Sequence, residues 1–77
     1  MDALEIFSYN LKKLRIQNGF SQKEIAEISG LHRTYISALE CGKRSIALDN
    51  VQKIADALGV HPYQLFLIDN NTQSKEV

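Results

Sequence analysis

The sequence predicts an all-α fold: one compact domain of five helices over residues 1–68, then a disordered polar tail over residues 69–77. Two observations predict helices. Apolar residues recur at intervals of three and four, and glycines follow the stretches in which they recur. A third observation is that no stretch alternates apolar and polar residues as a strand would. A chain of 77 residues has room for one core and one binding face.

The first helix is predicted over residues 4–18. Its apolar face is formed by Leu4, Phe7, Leu11 and Leu14. Gly19 is expected to take a left-handed conformation that ends the helix, and Phe20 then folds back onto the core.

Two short helices joined by a tight turn are predicted between Ser21 and Cys41. Ser21 and Glu24 have the spacing of a capping box. Gly30 stands where the chain must reverse and suits a left-handed backbone. The first of these two helices is predicted to turn an apolar stripe toward the core, formed by Ile25, Ala26 and Ile28.

The offsets within this stretch are those of a helix-turn-helix. Two steeply crossing helices need a small residue at their closest approach, which Ala26 supplies, and a glycine in the turn, which is Gly30. Ile36 and Leu39 then give the second helix a narrow inward face. An ordinary helical hairpin with no DNA role would satisfy the same offsets.

Two further helices are predicted after a polar loop that begins at Gly42. The fourth ends at Gly59, and its inward residues are Leu48, Val51, Ile54, Ala55 and Leu58. His61 and Pro62 begin a short fifth helix, because proline is tolerated in a first helical turn.

The fifth helix carries apolar residues on more than one face. One set would seal the core, and the other would form an exposed patch of the kind that marks association surfaces. We therefore predict a homodimer interface, with a C-terminus that only covers its own core as the alternative. The predicted interface residues are Val60, Tyr63, Leu65, Phe66 and Leu67.

Composition narrows the class of protein. The mean hydropathy of −0.22 and the lack of a long apolar run predict no membrane span. The N-terminus lacks the positive region of a secretory signal, and the one cysteine, Cys41, cannot form an internal disulfide. We expect a cytoplasmic protein and assign Cys41 no function. His32 and His61 have no metal-ligand spacing with Cys41, so no metal, cofactor or catalytic residue is predicted.

Positive charge is concentrated around the helix-turn-helix although the formal net charge is zero. Residues 12–44 hold seven basic and three acidic side chains, a net charge of +4, whereas both flanks are negative. This distribution favours a nucleic-acid partner, although a charged run is also typical of a solvated face.

A pattern that extends over roughly residues 7–68 is formed by Leu14, Arg15, Gly19, Phe20, Ser21, Gln22, Ile25, Ala26, Gly30, Leu31, Ile36, Ser37, Leu39, Glu40, Gly42, Lys43, Ile54, Ala55, Ala57, Leu58, Gly59, Val60, Leu65 and Phe66. With this pattern the chain resembles the lambda-repressor-like helix-turn-helix family. Within that family, the run from Arg33 to Ser37 most resembles the controller proteins of restriction–modification systems.

The resemblance implies that the third helix enters the major groove of DNA. Arg33 would offer two parallel hydrogen bonds to guanine, or alternatively contact a phosphate. The implied base-reading residues are Arg33, Thr34, Ser37 and Ala38, and the implied contacts to the DNA backbone are Gln22, Tyr35, Lys43, Arg44 and His32.

The resemblance also implies an internal ion pair between Arg15 and Glu40. The sequence departs from the family pattern at the starts of the third and fourth helices, where His32 and Ala47 replace capping hydroxyls.

The expected function is transcription regulation by a homodimer on a pseudo-palindromic operator, its recognition helices about 34 Å apart. RNA polymerase is a further expected partner if the protein activates; no membrane partner is expected. A phage or plasmid repressor, an antitoxin-like regulator and a protein-interaction module that does not bind DNA are the alternatives.

Overall fold

Four α-helices and a C-terminal 3₁₀ helix make up the regular structure of residues 2–68, the part of the chain that the computed structural model describes. None of these helices is long and apolar enough to cross a membrane. The predicted tail lies outside the described residues. The elements are α1 (Ala3–Gln17), α2 (Gln22–Ser29), α3 (Arg33–Glu40), α4 (Leu48–Leu58) and the 3₁₀ helix (Pro62–Phe66).

Local signals set the ends of α1 and α2. Asp2 and Glu5 form a capping box at the start of α1, in addition to the one predicted at α2. The predicted box at α2 is confirmed: the amide of Glu24 donates to the Ser21 hydroxyl over 3.0 Å, and the amide of Ser21 donates to the Glu24 carboxylate over 2.8 Å. Gly30 ends α2 with a φ of +78°, as predicted.

One core joins all five elements. α2 packs against α3 and α4, while α1 packs against α3 and the 3₁₀ helix. The core residues are Phe7, Leu11, Ile25, Ala26, Ile36, Leu39, Val51, Ile54, Ala55, Leu58 and Leu65.

Two residues predicted to face the core are exposed instead. Ile28 is 54% exposed, because it lies about 110° around α2 from the centre of the buried pair Ile25 and Ala26. Leu48 is 85% exposed at the first position of α4, beyond the point where the helix meets the core.

The predicted fifth α-helix is a five-residue 3₁₀ helix that ends before an extended Leu67. The buried amide of Asn10 donates to the main-chain oxygens of Leu65, over 3.0 Å, and Leu67, over 2.8 Å. Because a side chain from α1 takes these oxygens, the segment does not need further helical turns to satisfy them.

No side chain caps the N-terminus of α3 or α4, the two helices that start without the Ser or Thr typical of the family. Neither His32 before α3 nor Ala47 before α4 makes a side-chain hydrogen bond to its helix. In α4 the amide of Asn50 donates to the main-chain oxygen of Ala47 over 3.0 Å. The earlier amides of α4 and those of the first turn of α3 are left to solvent or to a ligand.

Candidate nucleic-acid interface

The outer face of α3 gathers the four residues predicted to read bases. Arg33 and Thr34 are exposed in the first turn, and Ser37 and Ala38 are half-buried one turn later. Together with Cys41 and Lys43 they line an open hollow of about 350 Å³. Whether these side chains read bases stays a prediction.

The opposite face of α3 anchors the helix. Ile36 and Leu39 are fully buried in the core, as predicted. Since these two residues fix which face points inward, they also determine that Arg33 and Thr34 point away from the protein.

A largely buried ion pair lies at the C-terminal end of α3, and its prediction is confirmed. The Arg15 guanidinium donates to both carboxylate oxygens of Glu40, through Nε and, over 3.0 Å, through Nη2. Their side chains are 12% and 3% exposed. The hydrogen bond to Glu40 raises the pKa of Arg15, so the guanidinium stays charged. A third donation, from Arg15 Nη1 to the carbonyl of Phe20 over 2.8 Å, ties the α1–α2 loop to this pair.

Gln22 joins the same network at the start of α2. Its amide Nε2 donates to Glu40 Oε1 over 3.1 Å. The residue predicted to contact a phosphate is therefore held by the ion pair, and its phosphate contact stays a prediction. The network links α1, α2 and the end of α3, so it fixes the two motif helices relative to each other.

The remaining residues predicted to touch the DNA backbone lie around α3. The guanidinium carbon of Arg44 lies 5.2 Å from the ring centroid of Tyr35, and the Tyr35 hydroxyl accepts a hydrogen bond from Asn50 over 3.2 Å. Lys43 and His32 are exposed at the two ends of α3. The face thus presents several cationic side chains beside α3, which suits a polyanion.

A second surface, which we call the apolar face, comprises the exposed side chains Leu48, Tyr63, Phe66 and Leu67. A groove of about 250 Å³ runs beside it and is lined by Ala3, Leu4, Phe7, Ser45, Ile46, Leu48, Val51 and Phe66. Leu65, predicted to be in the dimer interface, is fully buried in the core of the monomer and is unavailable to a partner. Val60 is half-buried against the same core.

The contacts of Asn10 and Asn50 and the exposure of Leu48 were not predicted from the sequence. Asn10 lies among the apolar residues of α1, a position at which a buried amide needs a partner, and that was its only signal. Nothing local marked Asn50 or the exposure of Leu48. No group of three or more His, Cys, Asp or Glu side chains within residues 2–68 is placed to hold a metal.

Comparison with known proteins decides the family. The helix-turn-helix family matches residues 11–65. This chain belongs to the helix-turn-helix family. The match spans α2, α3 and most of the core described above.

Two relatives show where the chain lies within this family. Control protein C.BamHI of Bacillus amyloliquefaciens is 39% identical over 74 residues, which cover 92% of this chain and 91% of that protein. A hypothetical transcription factor of Neisseria meningitidis serogroup B is 47% identical over 66 residues, 86% of this chain and 62% of that protein. The chain thus spans less than two thirds of the Neisseria protein.

Two solved structures share the fold. The restriction-modification controller protein C.AhdI from Aeromonas hydrophila has a TM-score of 0.80 at 41% identity, covering 82% of this chain and 96% of that one. The controller protein C.Esp1396I, as a tetramer in complex with its natural 35 base-pair operator, has a TM-score of 0.79 at 30% identity, covering 99% and 95%. These relatives identify the chain as a DNA-binding transcription regulator of the controller type, and confirm that it is not an enzyme.

Proposed function

We propose that this helix-turn-helix protein binds a pseudo-palindromic operator as a homodimer and regulates the genes of a restriction–modification system. The observation that carries the proposal is the outer face of α3, where the predicted base-reading residues line one open hollow beside exposed basic side chains. An α-helix with its side chains is about 10–12 Å across and fits the major groove, which is about 12 Å wide.

Within this proposal the side chains divide between the bases and the DNA backbone. Arg33, at the first position of α3, donates to guanine O6 and N7, and Thr34, Ser37 and Ala38 contact neighbouring base edges. The proposed backbone contacts, which fix the register of the helix without reading sequence, are Gln22, His32, Tyr35, Lys43 and Arg44.

The second copy occupies the apolar face. Leu48, Phe66 and Leu67 are large, exposed and next to an apolar groove, an arrangement that is costly in water and typical of a self-association surface. An oligomeric relative in complex with its operator supports this occupant. A two-fold dimer presents two α3 helices to successive major grooves, about 34 Å apart, and so requires a symmetric operator.

The proposed place of action is the cytoplasm. RNA polymerase is the further proposed partner if filling the operator activates transcription.

Selection of bound duplexes from a random pool tests the proposal. The wild-type protein should enrich two inverted half-sites about one helical turn apart. Arg33→Ala should relax the preference at one base pair of each half-site, which corresponds to about 1–3 kcal/mol of lost discrimination. Lys53→Ala, an exposed change on α4 outside the hollow, is the control and should enrich the wild-type sequence.

Two outcomes would contradict the proposal. If the wild-type protein showed no salt-dependent binding to any duplex, the result would favour a protein-interaction module that does not bind DNA. An unchanged operator preference in Arg33→Ala would remove the base-reading role from that residue.

A further inference from the structure

Asn50, in the first turn of α4, reaches the recognition helix. Its amide Nδ2 donates to the hydroxyl oxygen of Tyr35 over 3.2 Å, and both side chains are half-buried. The hydroxyl therefore accepts a hydrogen bond from the protein and keeps its own proton available for another acceptor.

The ring of Tyr35 also makes a cation–π contact with Arg44. The guanidinium carbon of Arg44 lies 5.2 Å from the centroid of the Tyr35 ring. Arg44 is exposed in the loop after α3, where a long side chain has many rotamers to choose from. A ring of fixed orientation restricts that choice, because the guanidinium is attracted to the face of the ring.

We propose that Asn50 is a positioning residue for DNA binding that acts through Tyr35, a proposal that rests on the function proposed above. By holding the hydroxyl, Asn50 fixes the plane of the Tyr35 ring and leaves the hydroxyl proton for a phosphate oxygen. The fixed ring in turn holds Arg44 extended toward a neighbouring phosphate. Asn50 itself touches no DNA.

The direction of the hydrogen bond gives the proposal its sharpest consequence. An aspartate at position 50 would fill nearly the same volume but could only accept a hydrogen bond. Tyr35 would then donate its proton to the aspartate and lose it for the phosphate, and a negative charge would lie near the DNA. Asn50→Asp should therefore weaken operator binding more than Asn50→Ala. A Tyr35→Phe background should remove the part of this difference that comes from the hydroxyl proton and leave the part that comes from the charge.

Side-chain NMR of the free protein tests the first step without DNA. Ring currents from Tyr35 should shift the Arg44 δ protons, and Tyr35→Leu supplies the unshifted reference. In Asn50→Ala the shift should move toward that reference. Arg44 shifts that stay at wild-type values in Asn50→Ala would overturn the proposal.

Operator binding tests the second step through a double-mutant cycle. Asn50→Ala should weaken binding about three- to tenfold in the wild-type background, the effect of one hydrogen bond. In a Tyr35→Phe background, which lacks the hydroxyl, it should change binding by less than about twofold, because interacting residues are non-additive. Equal losses in both backgrounds would overturn the proposal.

A matched control uses Gln52, an exposed amide on the same helix whose side chain donates to Asp56 over 2.9 Å. Gln52→Ala should leave operator binding unchanged, and thermal unfolding should show each variant folded at the binding temperature. Should wild-type protein bind no operator, the proposed function fails and this inference fails with it. Should wild-type protein bind but Asn50→Ala and Gln52→Ala behave alike, only this inference fails.

Discussion

Two largely buried polar side chains of α1, five positions apart, hold two different halves of the molecule. Arg15 contacts the end of α3 and the α1–α2 loop, beside the surface proposed to bind DNA. Asn10 reaches the main chain of the 3₁₀ helix, behind the apolar face. One half is thus held by a charged network and the other by a neutral amide.

The difference follows from what each half presents to its surroundings. Glu40 lies near a surface proposed to meet phosphates, and Arg15 neutralises its charge while also positioning it. The segment around Asn10 is surrounded by apolar side chains, where an ion would suffer a large desolvation penalty and an amide only needs its hydrogen bonds. The same helix therefore uses two kinds of polar contact for two kinds of surface.

Removing the charged contact between Arg15 and Glu40 should have the largest effect on stability. Arg15→Ala should lower the free energy of unfolding by about 3–5 kcal/mol, because it leaves the buried carboxylate of Glu40 without its guanidinium. Urea unfolding at fixed protein concentration measures this. The control Lys53→Ala removes an exposed cation and should change stability by about 0.5 kcal/mol or less. A loss for Arg15→Ala no larger than that of the control would show that the pair is not structural.

Removing the neutral contact between Asn10 and the C-terminal segment should destabilise the protein less. Asn10→Ala leaves the main-chain oxygens of Leu65 and Leu67 without their donor, and we expect unfolding to become easier by about 2–4 kcal/mol. Asn18→Ala is a matched control, since its amide also donates to a main-chain oxygen, that of Leu14, but is exposed to water. Chemical denaturation should show a much larger loss of stability for Asn10→Ala than for Asn18→Ala. Equal losses would show that burial does not make the Asn10 hydrogen bonds more important.

The apolar face can be separated from folding by a surface change. Leu48→Glu should raise the dimer dissociation constant about thirtyfold, or about 2 kcal/mol, because it puts a charge where the second copy is proposed to pack. Analytical ultracentrifugation measures the constant. Ile28→Glu makes the same change at another exposed aliphatic, on α2, and should leave the dimer intact. Wild-type association in Leu48→Glu would place the interface elsewhere.

The smallest expected effect is a gain in stability from a new helix cap. His32→Ser supplies the missing cap of α3 and should stabilise the protein by about 0.5–1 kcal/mol, as a hydroxyl can accept from the free amides of the first turn. Thermal unfolding compares this variant with His32→Ala, which offers no acceptor and should give no gain. If serine and alanine behave alike, solvent already satisfies those amides.

Much of the fold was determined locally and could be predicted. The capping box of Ser21 and Glu24, the left-handed Gly30 and the end of α4 at Gly59 depend on residues within a few positions of one another. The inward face of α3 follows from the spacing of Ile36 and Leu39 in the same way. The residues on its outer face, including Arg33, were predicted from the family resemblance, and the inward spacing of Ile36 and Leu39 agrees with their exposure.

Only the tertiary structure decided how the C-terminal segment and the two proposed surfaces are built. Asn10 and Leu65 meet across 55 positions of the chain, and this contact holds the 3₁₀ helix against α1, with Leu65 buried and Phe66 exposed. The exposure of Leu48 and the bond between Asn50 and Tyr35 likewise depend on where separate helices lie against each other. Helical spacing specifies which residues share a face, but the partner that covers each face is brought there by packing of the whole chain.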